Sequence, residues 1–144
     1  ALIEMGLDRW SLSRALHVVI EPRTVRKLCE ACRRIVVPHD RLLESLGLSR
    51  GDLNFPVFGP AGCGDCHQTG YAGRTGLFSV MEIDRTVAEV IRQGGNASAI
   101  ERASLQAGMR SPGVDAMEKV GAGVTSLEEI SRVMPHELFV RTTA

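Results

Sequence analysis

The chain has 144 residues, room for one ordinary domain or two small ones. A hydrophobic fraction of 44% with 24% charged residues describes a folded chain rather than a disordered one. Its 17 basic and 17 acidic side chains cancel, which removes any global pull toward nucleic acid or an anionic membrane.

In chain order, Ala1-Leu2-Ile3-Glu4-Met5-Gly6-Leu7 has neither an initiator Met nor a leader, and reads as the continuation of something longer. No apolar run approaches the ~20 residues that span a bilayer. Leu12, Leu16 and Val19 recur at helical spacing behind Ser11, the expected N-cap. Val18-Val19-Ile20 is β-branched and equally suits the start of a strand. Pro22 is expected to end regular structure or to sit at an edge. A short apolar run, Ile35-Val36-Val37, follows the first cysteines. Pro38-His39-Asp40 then opens a helix-like stretch with Leu42, Leu43 and Leu46, stopped by Gly47. Ser49-Arg50-Gly51-Asp52 is turn chemistry.

Six glycines fall between Gly59 and Gly76, and Thr75–Ile83 reads as a strand. Asp84 is the expected cap of a helix carrying Val87, Val90 and Ile91, stopped by Gly94-Gly95. Capping-box spacing in Ser98–Glu101 and Thr125–Glu128 predicts two more helix starts. Between them Ser111-Pro112 supplies an N-cap with Pro at the first helical position. That helix would end at Gly121, and the last one at Pro135.

The chemistry lies in four cysteines, the only ones present: Cys29 and Cys32, then Cys63 and Cys66. Each C-x-x-C knuckle presents two sulfurs to one tetrahedral ion. Two knuckles close the shell and leave no position for a substrate, so a structural zinc on Cys29, Cys32, Cys63 and Cys66 is expected. Closing the loop of about thirty residues between the pairs costs roughly 3 kcal/mol in chain entropy. A structural zinc returns on the order of 10–16 kcal/mol in small peptides. The same thiolates would also take iron. Arg23, Arg26, Lys27, Arg33 and Arg34 crowd the first pair, either as counter-charges to the thiolates or as a solvated basic loop. Cys63-Gly64-Asp65-Cys66-His67 also fits the c-type haem signature C-x-x-C-H, but that would orphan the first pair. His67 otherwise reads as an exposed loop residue or a donor to a thiolate. His17, His39 and His136 fall in no pattern. The chain contains no phosphate loop G-x-x-x-x-G-K-[ST] and no dinucleotide fingerprint, so no catalytic or nucleotide-binding residue is nominated. Arg23 and Arg74 are the cations best placed for a role beyond the metal.

The order of these features is similar to that of a known family. Arg23-Thr24-Val25-Arg26-Lys27-Leu28-Cys29-Glu30-Ala31-Cys32 resembles the Q-R-L-V-R-x-L-C-x-x-C stretch that follows the core of the type II secretion and type IV pilus assembly ATPases. Gly62-Cys63-Gly64-Asp65-Cys66 through Gly70-Tyr71-Ala72-Gly73-Arg74-Thr75-Gly76 resembles that family's G-C-x-x-C-x-x-T-G-Y-x-G-R-T-G. Gly108-Met109, Lys119-Val120, Gly123-Val124-Thr125 and Leu127-Glu128-Glu129 resemble its C-terminal motifs, and Leu2–Gly6 its segment after the histidine box. The family's Gln and Leu around the arginine are Pro22 and Thr24 here.

The resemblance implies an α+β, mainly α fold: the end of a RecA-like core, a tetracysteine zinc module with short strands, then a small helical bundle. The expected divisions are 1–25 (core tail), 26–83 (zinc module), 84–136 (helical subdomain) and 137–144 (flexible tail). The parent implied is a hexameric cytoplasmic ATPase using ATP and Mg2+, acting with other hexamer subunits and an inner-membrane platform protein. The tetracysteine favours the assembly or secretion branch over the retraction ATPases. Hydrolysis itself belongs to upstream motifs, so the chain alone is expected to be inactive. The competing reading is an independent zinc-dependent protein- or nucleic-acid-binding module. Zero net charge and a single Tyr weigh against nucleic acid.

Overall fold

The computed structural model describes residues 2–134. The expected tail at 137–144, the helix end at Pro135 and His136 lie outside them. Among the described residues are six α-helices and four antiparallel or short strands, a mixed α+β fold with the four cysteines clustered, as the sequence led us to expect. The elements are α1 (Arg9–Ala15), β1 (Val18–Leu28), β2 (Arg34–Ile35), α2 (Asp40–Ser45), β3 (Phe58–Gly59), β4 (Tyr71–Glu82), α3 (Arg85–Arg92), α4 (Ala97–Gln106), α5 (Pro112–Gly121) and α6 (Leu127–Val133). β1 pairs with β4, and β2 pairs antiparallel with β3 through Arg34↔Gly59 and Ile35↔Phe58.

The chain packs as two compact units: Ala1–Glu21 with Ser79–Arg110, and Pro22–Phe78 with Ser111–Ala144. In the first, α1 begins under Asp8 rather than Ser11. The Asp8 carboxylate accepts the Ser11 N–H at 2.9 Å, and a carboxylate suits the positive helix N-terminus. Leu12 packs with Val87 and Ile91 of α3 and Ala103 of α4. Asp84 caps α3 as expected, accepting the Val87 N–H at 2.8 Å. α3 stops where Gly94 takes φ +80, a left-handed turn that favours glycine. α4 starts earlier than expected, because Asn96, not Ser98, accepts the Ala99 N–H at 2.9 Å.

The second unit holds the larger core: Val25, Leu42, Leu43, Leu46, Val57, Leu77, Ala116, Val120, Leu127, Ile130 and Met134. Each fully buried Leu or Ile stabilises it by about 1.5–3 kcal/mol relative to exposure. β1 runs straight through Pro22, which lacks a backbone donor. A two-stranded sheet leaves each strand a free edge, and a proline is tolerated there. β4 starts at Tyr71, four residues before the expected Thr75. α5 opens at Pro112 behind Ser111 as expected. The cap of α6 falls one residue beyond the expected Thr125: Ser126 Oγ accepts the Glu129 N–H at 3.3 Å. Thr125 instead donates its hydroxyl to the Arg26 carbonyl at 2.8 Å.

Candidate metal centre

All four cysteines lie in the second unit, at the end of β1 and just before β4. The Leu28 N–H reaches the Val124 carbonyl at 2.8 Å, and the chain then turns at Cys29, whose carbonyl accepts from Cys32 (3.2 Å) and Arg33 (2.8 Å). That turn places the first two sulfurs on one side. The second pair brackets a 3-10 turn, Gly64–Cys66. His67 and Gln68 follow at φ 50 and φ 64, a left-handed step that brings the Gln68 N–H back to the Cys63 carbonyl at 2.8 Å.

The turns converge. Sγ···Sγ is 3.8 Å for Cys29–Cys63, 3.8 Å for Cys32–Cys66 and 3.7 Å for Cys63–Cys66, and all four sulfurs lie within 4.8 Å of one another. Four sulfurs at ~2.3 Å from a tetrahedral zinc are ~3.8 Å apart along each edge. These three separations match that edge and are far beyond a disulfide bond of ~2.05 Å; all four cysteines are free. The four thiols are therefore positioned to bind one metal ion. Among the described residues no other His, Cys, Asp or Glu group gathers in this way. His67 is exposed and outside the cluster.

Backbone N–H groups point at the sulfurs. Gly62 donates to Cys32 Sγ at 3.3 Å, while Cys63 and Gly70 each donate to Cys66 Sγ at 3.2 Å. Burial pushes the Cys66 thiol up, but the Cys63 and Gly70 donors outweigh it and bring it down to about 6.

Three of the arginines beside the first pair are engaged elsewhere in this unit. Arg23 donates to the Val133 carbonyl at 3.0 Å. Arg33 donates to the Gly123 carbonyl at 2.5 Å and lies over the Phe58 ring. Arg26 lies over the Tyr71 ring at 4.1 Å and donates Nε and Nη2 to Glu129 at 2.9 and 2.7 Å. Arg23, Arg26 and Arg33 thus fasten β1 and the first knuckle to α6 and to the turn before it, while Arg34 is exposed. Arg74 is exposed and lines a shallow cleft with Arg26, Thr69, Tyr71 and Gly73.

Glu129 is the residue that sequence reasoning missed. Its side chain is wholly buried, yet it accepts from the Arg26 backbone N–H (3.0 Å), the Arg26 guanidinium and the Arg132 guanidinium (3.1 and 2.6 Å). Burial alone would raise its carboxyl; the Arg132 and Arg26 donors hold it at about 2. Glu128 next to it has the same chemistry on paper, and only the position of the Ser126 cap separates the two.

The family model described as Type II/IV secretion system protein matches residues 1–132. The chain is 36% identical over 135 residues to the type IV pilus assembly ATPase PilB of Acinetobacter baylyi, covering 92% of this chain and 23% of that protein. It is 37% identical over 138 residues to the type II secretion system protein E of Dickeya dadantii, covering 94% and 26%. To the protein transport protein HofB homolog of Escherichia coli it is 36% identical over 137 residues, covering 94% and 29%. The chain thus spans about a quarter of the length of these relatives.

Proposed function

With the family match spanning residues 1–132, this chain belongs to the type II/IV secretion system proteins, and from that premise we propose that it is the zinc-bearing C-terminal part of an ATPase that powers type II secretion or type IV pilus assembly. The observation that carries the zinc reading is the convergence of four sulfurs within 4.8 Å of one another, three of their separations being 3.7–3.8 Å. Cys29, Cys32, Cys63 and Cys66 would hold the ion. Four thiolates leave no open coordination position, so the ion supplies a crosslink and no reaction chemistry.

The crosslink sits where it has mechanical use. The first knuckle leaves the end of β1, and the second leads into β4, its pairing partner. One ion therefore ties both strands at the same end, and the Arg26–Glu129 contacts fix that end to α6. A clamped strand pair resists bending, and in this reading it passes motion of the parent hexamer to neighbouring subunits and to membrane-platform proteins. ATP and Mg2+ are used by the parent's upstream core. Exposed apolar side chains of the first unit, among them Met5 (78% exposed), Trp10 (59%) and Ile20 (54%), support further protein cover. Four reduced thiols suit a cytoplasmic location, and no helix among the described residues is long and apolar enough to cross a membrane.

The test is made in a full-length motor carrying this part. Cys29→Ser should lower the amount of subunit exported or assembled per ATP hydrolysed at least tenfold. An unchanged ratio would remove the mechanical role.

A further inference from the structure

Within the proposed zinc centre, one residue touches both knuckles without being a ligand. Gly70 donates its N–H to Cys66 Sγ at 3.2 Å, and its carbonyl accepts the Cys29 N–H at 2.9 Å. Among the described residues no other non-cysteine residue both bonds a site sulfur and accepts from the backbone of a cysteine in the opposite pair. Gly62 makes one such link, from its N–H to Cys32 Sγ.

Gly70 is also confined to being glycine. Its φ is +74, and a Cβ there would lie 2.3 Å from Pro60 Cβ and 2.9 Å from Pro60 Cα. Gly73, three residues on, has a similar φ of +77, but a Cβ there would meet nothing nearer than Lys27 Cδ at 4.0 Å. Gly64, inside the second knuckle, has nothing within 4 Å. The same substitution therefore has different consequences at three positions in one short segment.

We propose that Gly70 is the positioning residue of the metal centre: its peptide sets Cys66 Sγ in register with Cys29, and its N–H draws charge from the Cys66 thiolate. Four thiolates around Zn2+ carry a net charge of about −2, and an N–H aimed at sulfur offsets part of it. Outer partners of metal ligands typically change affinity by about 10–100-fold when removed. The inference rests on the zinc reading, and the two fail in different ways.

The experiment uses the 144-residue chain. Gly70→Ala adds the clashing Cβ. Because that variant can fail to fold, a second protein carries an amide-to-ester exchange at Gly70, which deletes the N–H and adds no side chain. Gly73→Ala controls for positive-φ strain and Gly64→Ala for a change within the knuckle. Zinc affinity is read by competition with a chromophoric chelator. Co2+ substitution then reports the sulfur-to-metal charge-transfer band, which a purely structural role would not move. The expected result is a loss of about 10-fold or more in zinc affinity for the ester, with its charge-transfer band shifted to lower energy as charge returns to the sulfur. Gly73→Ala and Gly64→Ala should stay within about threefold of the parent chain. An ester that binds like the parent chain, or a Gly73→Ala loss equal to that at Gly70, overturns the positioning role. A parent chain that takes up no zinc at all overturns the zinc reading beneath it.

Discussion

Replacing Glu129 with Gln keeps the shape of the side chain and removes its charge. In the folded chain the carboxyl sits at about 2, against an ordinary value of 4.5. A carboxylate held that far below its unfolded value stabilises the folded state by about 3 kcal/mol at neutral pH. The partner guanidiniums are partly solvated: Arg26 is 43% and Arg132 is 56% exposed, so each can return to water when the charge is gone. That discount leaves about 2–3 kcal/mol for Glu129→Gln in urea unfolding at pH 7. The sign with pH follows from a depressed carboxyl. Its contribution is complete above 4.5 and is lost as the pH falls toward about 2. The gap between parent and variant should therefore shrink to about 1 kcal/mol at pH 3. Comparing the two proteins at equal pH and equal metal content cancels any effect of metal lost in acid. A gap below about 0.5 kcal/mol at pH 7, or one that does not narrow in acid, would refute the assignment of Glu129 as the tie between α6 and β1.

Three further outcomes follow from named contacts. Cys29→Ser should release the metal and lower the thermal midpoint of the second unit, and a metal-free variant as stable as the parent would count against a structural ion. His39 caps α2 through Nδ1, which accepts the Leu42 N–H at 3.0 Å; His39→Asp puts a better cap and a negative charge there. It should raise the urea midpoint by an amount worth about 0.5 kcal/mol, whereas an unchanged midpoint would show that the cap has no weight. Tyr71→Phe removes the 2.8 Å hydroxyl contact with Ser126 while leaving the ring under Arg26. A cost of about 1 kcal/mol is expected in the same assay, and no change would mean that the hydroxyl contributes nothing.

Features of this chain that depend on near neighbours were legible in its residues. The two C-x-x-C pairs, the Asp84 cap and the Ser111-Pro112 start each act over three or four positions, and all three stand where expected. Caps slipped where candidates crowd together. Asp8 lies three residues before Ser11, Asn96 two before Ser98, and Ser126 directly after Thr125; in each case packing chose among chemically similar residues. Contacts between distant segments were not legible. Glu129 meets Arg26 across 103 residues, and no local pattern marks it apart from Glu128. Arg23, Arg26 and Arg33 read as part of a local charge cluster, yet their partners lie in α6 and in the turn before it. Pro22 left two readings open, a break or an edge position, and only the pairing of β1 in a two-stranded sheet selects the edge.

The most direct measurement is the metal content of the purified 144-residue chain, with its thiols counted before and after chelation. The account predicts one zinc per chain, four thiols protected until the ion is removed, and loss of the second unit's cooperative unfolding once it is gone. A chain that carries no metal, shows four freely reactive thiols from the outset and unfolds unchanged in chelator would contradict it.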